Sequence, residues 1–167
     1  MTIVVAEGRR MMRLAGELAP EVFDALLEEY QRLLRQVLEG MGGYDVDVAA
    51  DTAVAAFDSA KQAALAAVAA QRGVAAQTWP HGSRLAISIG LHSVEALVGN
   101  VGPALLRPNE LCDAAEGGQI FLTPEARSLL EGEDLGELSV RDLGEVPLRR
   151  SEHRVRAHEL VVPAAGD

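Results

Sequence analysis

Gly42-Gly43-Tyr44-Asp45-Val46-Asp47-Val48-Ala49-Ala50-Asp51-Thr52-Ala53-Val54-Ala55-Ala56-Phe57-Asp58-Ser59-Ala60 carries the features that decide the fold. Asp45-Val46-Asp47-Val48 alternates polar with apolar, Asp51-Thr52 interrupts, and Ala53 to Phe57 resumes. This predicts a β-hairpin with Asp51 at an exposed tip. Asp58 or Ser59 then offers a capping oxygen to a helix running to about Arg72. The many alanines of that helix give high propensity and let it approach a sheet closely.

N-terminal to the hairpin, Phe23, Leu26, Leu27, Tyr30, Leu33, Leu34, Val37 and Leu38 recur at helical spacing, while Glu28, Glu29, Arg32 and Arg35 fill the opposite face. The pattern predicts an amphipathic helix with Pro20 in its first turn and Gly40, Gly42 and Gly43 at its end. Further back, Thr2-Ile3-Val4-Val5-Ala6 suits a first strand. No Lys or Arg precedes it, and it is too short for the apolar region of a signal peptide.

C-terminal to the hairpin, Trp79-Pro80-His81-Gly82 reads as a turn. Leu85, Ile87, Ile89 and Leu91 then alternate with Ala86, Ser88, Gly90 and His92 as a strand with one strongly apolar face. A weaker helix is expected over about 104–115, broken or delayed by Pro108. A short strand 119–122 leads through Thr123-Pro124 into a helix ending near Glu131, and two strands follow around 138–143 and 155–162. The βαββαβ order at the front predicts an α+β, ferredoxin-like sandwich with helices on one face of a largely antiparallel sheet. Residues 1–162 form a single domain in this reading, and 163–167 a tail.

The 167 residues suffice for one well-buried domain, and 49% hydrophobic with 24% charged residues is ordinary globular usage. Fifteen Lys and Arg against twenty-five Asp and Glu leave a charge of -10, which disfavours nucleic acid and anionic membranes as partners. The alanine-rich stretch 60–76 is interrupted by Lys61, Gln62, Gln71 and Arg72 and is no membrane span. The lone Cys112 cannot form an internal disulfide, so a reducing, cytoplasmic location is expected.

Five segments stand in order along nearly the whole chain. They are Gly42-Gly43 before the hairpin bearing Asp51; the run Ala55-Ala56-Phe57-Asp58-Ser59-Ala60; Gly90-Leu91-His92-Ser93 followed by Glu95-Ala96; Gly117-Gly118-Gln119-Ile120; and Asp142-Leu143-Gly144. Together, at these intervals, they resemble the class III adenylate and guanylate cyclase homology domain. That family joins the 3′-oxygen of ATP or GTP to its α-phosphate with two divalent ions, Mg or Mn, bridged by two aspartates. The resemblance implies that Asp51 stands at the second of these positions. Counting back from Arg13-Leu14 puts Glu7 at the first.

The same resemblance exposes what is missing. The family's small, Gly- and Ser-rich turn after the first Asp is replaced by Arg9-Arg10-Met11-Met12, which as a plain reading is a strand-to-helix connection with exposed arginines. Asp47 stands where the purine-recognising lysine belongs, and carries the wrong charge for a triphosphate. Leu106 falls at the place of the ribose-orienting asparagine and Glu110 at that of the transition-state arginine. A slipped register would bring Arg107 or Asn109 into play across Pro108. The segment Gly99-Asn100-Val101-Gly102 is shorter than the family's hairpin there. Since one lost charge-stabilising donor costs roughly a hundredfold or more, the combined losses predict no useful turnover.

Other motifs carry little. No Walker-type phosphate loop occurs. His81 sits in a turn, while His153 and His158, five apart in an expected strand, read as surface residues without zinc-like spacing. His92 belongs to the Gly-Leu-His segment and reads as structural. Glu110, Asp113 and Glu116 recur every three residues like a solvated helix face.

The expectation is therefore a catalytically inactive cyclase-like domain acting as a dimerising interaction or regulatory module. It would form a homodimer, offer its unused cleft to a protein partner, and need no cofactor. Two alternatives stay open. One is a weak cyclase, or the metal-supplying half of a heterodimer, using Glu7 and Asp51 with Mg or Mn and ATP or GTP. The other is a nucleotide sensor without turnover.

Overall fold

The computed structural model describes residues 1–95, 102–149 and 151–163. Most of the expected Gly99–Gly102 segment and of the 163–167 tail lies outside the described residues. The elements in chain order are β1 (Thr2–Arg9), α1 (Met11–Glu17), α2 (Pro20–Gly40), β2 (Tyr44–Ala49), β3 (Thr52–Phe57), α3 (Ala60–Ala76), β4 (Ala86–Ser93), α4 (Leu106–Ala114), β5 (Ile120–Leu122), α5 (Pro124–Leu130), β6 (Ser139–Pro147) and β7 (Arg154–Val161). Short 3-10 turns at Pro80–Gly82 and Gly102–Leu105 precede β4 and α4.

The sheet order is β2-β3-β1-β4-β5-β7-β6. Its first four strands are antiparallel and have the split order of a ferredoxin-like βαββαβ unit, as expected from the sequence. β5 joins β4 in parallel, and the β6–β7 hairpin completes the far edge through β7. α2 forms where its pattern demands, burying Leu26, Tyr30, Leu34 and Leu38 at four-residue spacing. α3 starts on Ser59, whose hydroxyl oxygen accepts from Gln62 N at 3.1 Å. It runs to Ala76, four residues past the expected end.

The helices are not confined to one face. Val4, Ala6, Phe57, Ile87, Ile89, Leu91, Ile120 and Leu122 pack with residues of α2, α3 and α5. Ile3 and Val5 face the other way, against Cys112 of α4 and Ala104, and Leu111 packs on Phe121 and Ala157 beside them. The physical reason was in the sequence: Ile3-Val4-Val5-Ala6 is apolar without alternation, which a strand shows when both of its faces are covered.

Pro108 does not break α4. It is the third residue of the helix, where the missing N–H would have had no partner within the helix. What seats α4 is Gly90 on β4. A Cβ there would stand 2.2 Å from Pro108 O and 2.9 Å from Cys112 N, so only glycine lets the helix backbone lie on the strand.

Asp142-Leu143-Gly144 is a β-bulge between β6 and β7: Asp142 pairs with His158 and Gly144 with Ala157, leaving Leu143 extra. Gly144 takes φ +67 and its N–H donates to Asp142 Oδ1 at 2.8 Å. His158 is buried at the β5–β7–β6 junction rather than on the surface, while His153 is exposed ahead of β7. Among the described residues, no helix is long and apolar enough to cross a membrane.

Candidate active-site face

β1 and the hairpin bring Glu7 and Asp51 to neighbouring positions. Glu7 sits opposite Thr52 on β3 and Ser88 on β4, and the Gly8 N–H donates to the Asp51 carbonyl at 2.9 Å. The Tyr30 hydroxyl donates to the same carbonyl at 2.8 Å, pinning the turn from the helix side. Asp51 is therefore half-buried; the exposed residues of the turn are Ala49 and Ala50, the latter held at φ +51. One Asp51 carboxylate oxygen accepts from the Thr52 hydroxyl at 3.1 Å.

Asp47 is exposed on β2, directly opposite Val54, which packs toward the Ile3–Val5–Cys112 cluster. Its carboxylate thus lies on the sheet face that α4 covers further along, the face that Glu7 shares. Leu106 and Glu110 lie one turn apart on α4, with Leu106 62% exposed. They line a cavity of about 320 Å³ together with Asn109, Asp113, Leu148 and His153. Glu7, Asp47 and Asp51 do not line it. Within one chain the candidate residues therefore form two groups, carboxylates at the strand ends and a separate α4 face.

The residue that the sequence reading missed is Arg9. It was expected as an exposed connection, yet it ends β1 with its side chain 19% exposed. Its Nη2 donates to the carbonyls of Cys112 at 2.6 Å, Ala115 at 2.8 Å and Asp113 at 3.2 Å, the unsatisfied acceptors at the end of α4. Its Nη1 stands 4.0 Å from Glu7 Oε1. The available signal was period two: Glu7 and Arg9 must share a face of β1.

Three further titratable groups are held by burial and hydrogen bonds. Burial pushes the Cys112 thiol up to about 12, and it donates to Ser88 O at 3.2 Å, both of which disfavour the thiolate. Burial likewise raises the Tyr30 phenol far above its ordinary value. His92 is held below the usual imidazole range by burial, and its Nδ1 hydrogen-bonds the Thr123 hydroxyl at 2.9 Å. Thr123 in turn caps α5 by accepting from Ala126 N.

Glu7 and Asp51 would offer a divalent ion two carboxylates, and Mg is usually held by one or two carboxylates, with waters and substrate phosphates completing its octahedral set of oxygens. Against this, Glu7 faces the Arg9 guanidinium. Among the described residues there is no group of three or more His, Cys, Asp and Glu placed to hold a metal.

No family model matches the chain. An uncharacterized protein of Mycobacterium tuberculosis is 35% identical over 102 residues, covering 59% of this chain and 33% of that protein. The chain thus spans about one third of the length of the curated relatives it matches. Among solved structures, an adenylate cyclase of Trypanosoma brucei superposes with a TM-score of 0.78 at 19% identity, covering 95% of this chain and 88% of that one. The guanylate cyclase domain from Catenaria anguillulae, solved with GTP, gives 0.76 at 12% identity over 98% and 96%. A guanylyl cyclase domain of Blastocladiella emersonii gives 0.76 at 14% identity over 96% and 94% in a dimeric form, and is also known as a monomer. At such identities the likeness speaks to fold alone, and the TM-scores with near-complete coverage show that this chain has the fold of the class III adenylate and guanylate cyclase catalytic domains.

Proposed function

We propose that this domain is a catalytically inactive cyclase-fold module that works by pairing, with a second copy or another protein, through the face carrying α4. The observation that supports this most is the chemistry of the α4 surface. Leu106 and Glu110 occupy the turn where the resemblance calls for an amide and a guanidinium, and Leu106 is left 62% exposed. An exposed leucine beside a cavity of about 320 Å³ is poor at stabilising developing phosphate charge and well suited to a protein contact. Asp47, exposed on β2, adds a negative charge where a triphosphate would be drawn in.

The direct test is an assay of the purified protein with ATP or GTP and Mn. Absence of cAMP and cGMP, together with a dimer or larger complex in analytical ultracentrifugation, is the expected result. Detectable cyclic nucleotide would end the non-catalytic reading. A second reading, the carboxylate-bearing half of a heterodimeric cyclase using Mg or Mn, draws on the adjacency of Glu7 and Asp51 through the Gly8–Asp51 hydrogen bond. Activity that appears only on mixing with a complete cyclase domain, and is lost in Asp51→Ala, would establish it.

A further inference from the structure

Leu65 is the largest apolar side chain of α3, yet it is 37% exposed while Ala63, Ala64, Ala66 and Ala67 around it are fully buried. With Arg72 two turns further on, it forms one wall of a groove of about 450 Å³. The other wall is Leu135, Glu137 and Leu138 of the 131–138 connection between α5 and β6, and Met41, just past α2 and likewise 37% exposed, joins the lining. Single exposed apolar side chains are ordinary on a protein surface, but long ones gathered along one groove mark a contact surface. The charges narrow what fits there. Arg72 is exposed on the α3 wall and Glu137 on the other, and neither side chain has an ion-pair or hydrogen-bond partner among the described residues.

A two-fold contact sets the same patch of two copies face to face, so that residue i of one meets residue j of the other and j meets i. A groove with a cation on one wall and an anion on the other is complementary to itself under that operation. Arg72 of each copy meets Glu137 of the other, and Leu65 and Met41 are covered without opposing like charges. The chain's charge of -10 repels a second copy at a distance, so self-association has to come from close apolar contact and paired opposite charges, both of which this groove supplies. The groove lies against α3, which packs on the side of the sheet opposite α4, and none of Glu7, Asp47, Asp51, Leu106 and Glu110 lines it. We propose that the groove between α3 and the 131–138 connection docks a second copy of this chain, sealed by two reciprocal Arg72–Glu137 ion pairs.

Pairing through this groove is independent of pairing through α4, so the test uses protein carrying Leu106→Glu, which sets a charge on the α4 face and lets the two readings fail separately. In analytical ultracentrifugation at physiological ionic strength that protein should still dimerise. Adding Arg72→Glu or Glu137→Arg opposes like charges at both reciprocal contacts and should weaken the dimer roughly tenfold or more. Mixing these two charge variants in equal amounts should restore association, because each then meets the opposite sign on its partner. An ion pair within one chain cannot give that result, and restoration also shows that both variants fold. Arg32→Glu makes the same charge change at an exposed α2 position outside the groove and should leave the dimer unchanged. A monomer at every concentration, undiminished association in either charge variant, an equal loss in Arg32→Glu, or a mixture that associates no more tightly than its components would overturn the docking surface.

Discussion

Arg9 Nη2 donates to the carbonyl oxygen of Cys112 across 2.6 Å, joining the last residue of β1 to α4 from 103 positions away in sequence. Two further carbonyls at the same helix end complete the cap. The contact fixes where α4 sits relative to the strand that carries Glu7, and so couples the two separate groups of candidate residues.

Arg9→Gln should therefore destabilise the fold. Removing a largely buried cation from three carbonyl acceptors costs on the order of 1.5–3 kcal/mol, read in chemical or thermal unfolding. Arg9→Lys should recover part of the loss, since an ammonium caps carbonyls without the fork. Identical unfolding curves for wild type and Arg9→Gln would show that the cap contributes nothing.

Gly90→Ala tests the seat of the same helix. With Pro108 O only 2.2 Å from the added methyl, backbone must move, and a cost of about 1–3 kcal/mol or more is expected. Hydrogen exchange should show α4 losing protection ahead of α2. A neutral substitution would mean that α4 does not rest on β4 as described.

Leu106→Glu probes the proposed pairing face. Because the side chain is 62% exposed, the melting temperature of a dilute sample should stay close to that of the wild type, whereas sedimentation should show weaker self-association. Unchanged association would place the contact elsewhere on the surface.

The two buried histidines give a pH dependence whose sign is fixed. Burial leads the causes that lower both His92 and His158, so the folded state takes up a proton less readily than the unfolded chain. Their contribution to stability is complete above the unfolded value of about 6.5 and is lost as pH falls from there through the depressed folded values. His158→Asn should flatten the fall between neutral and mildly acid pH, followed by thermal melts across that range. An equally steep fall in the variant would remove His158 from the account, leaving His92 as its source.

Much of the architecture was legible because it is written in local periodicity. The α2 stripe, the alternation of β4, the Ser59 cap and the hairpin around Asp51 each follow from spacing that depends on nothing distant. The candidate positions were legible only through their order along the chain. The Gly8–Asp51 backbone hydrogen bond brings the strand end that carries Glu7 beside the turn that carries Asp51, while Leu106 and Glu110 share a turn of α4 whose exposure periodicity could not assign.

Three features were beyond local pattern. The cap of α4 by Arg9, the burial of His158 beside the Asp142–Gly144 bulge, and the groove shared by Arg72 and Glu137 each depend on segments far apart in sequence. By itself the sequence determined the helices, the strands and the ferredoxin-like order, because hydrophobic period and capping residues act over a few neighbours. Only the tertiary structure decided which side of the sheet α4 covers and which charges it brings together. Those outcomes depend on strand pairing and on the close approach at Gly90, where the absence of one methyl group lets a helix backbone rest on a strand.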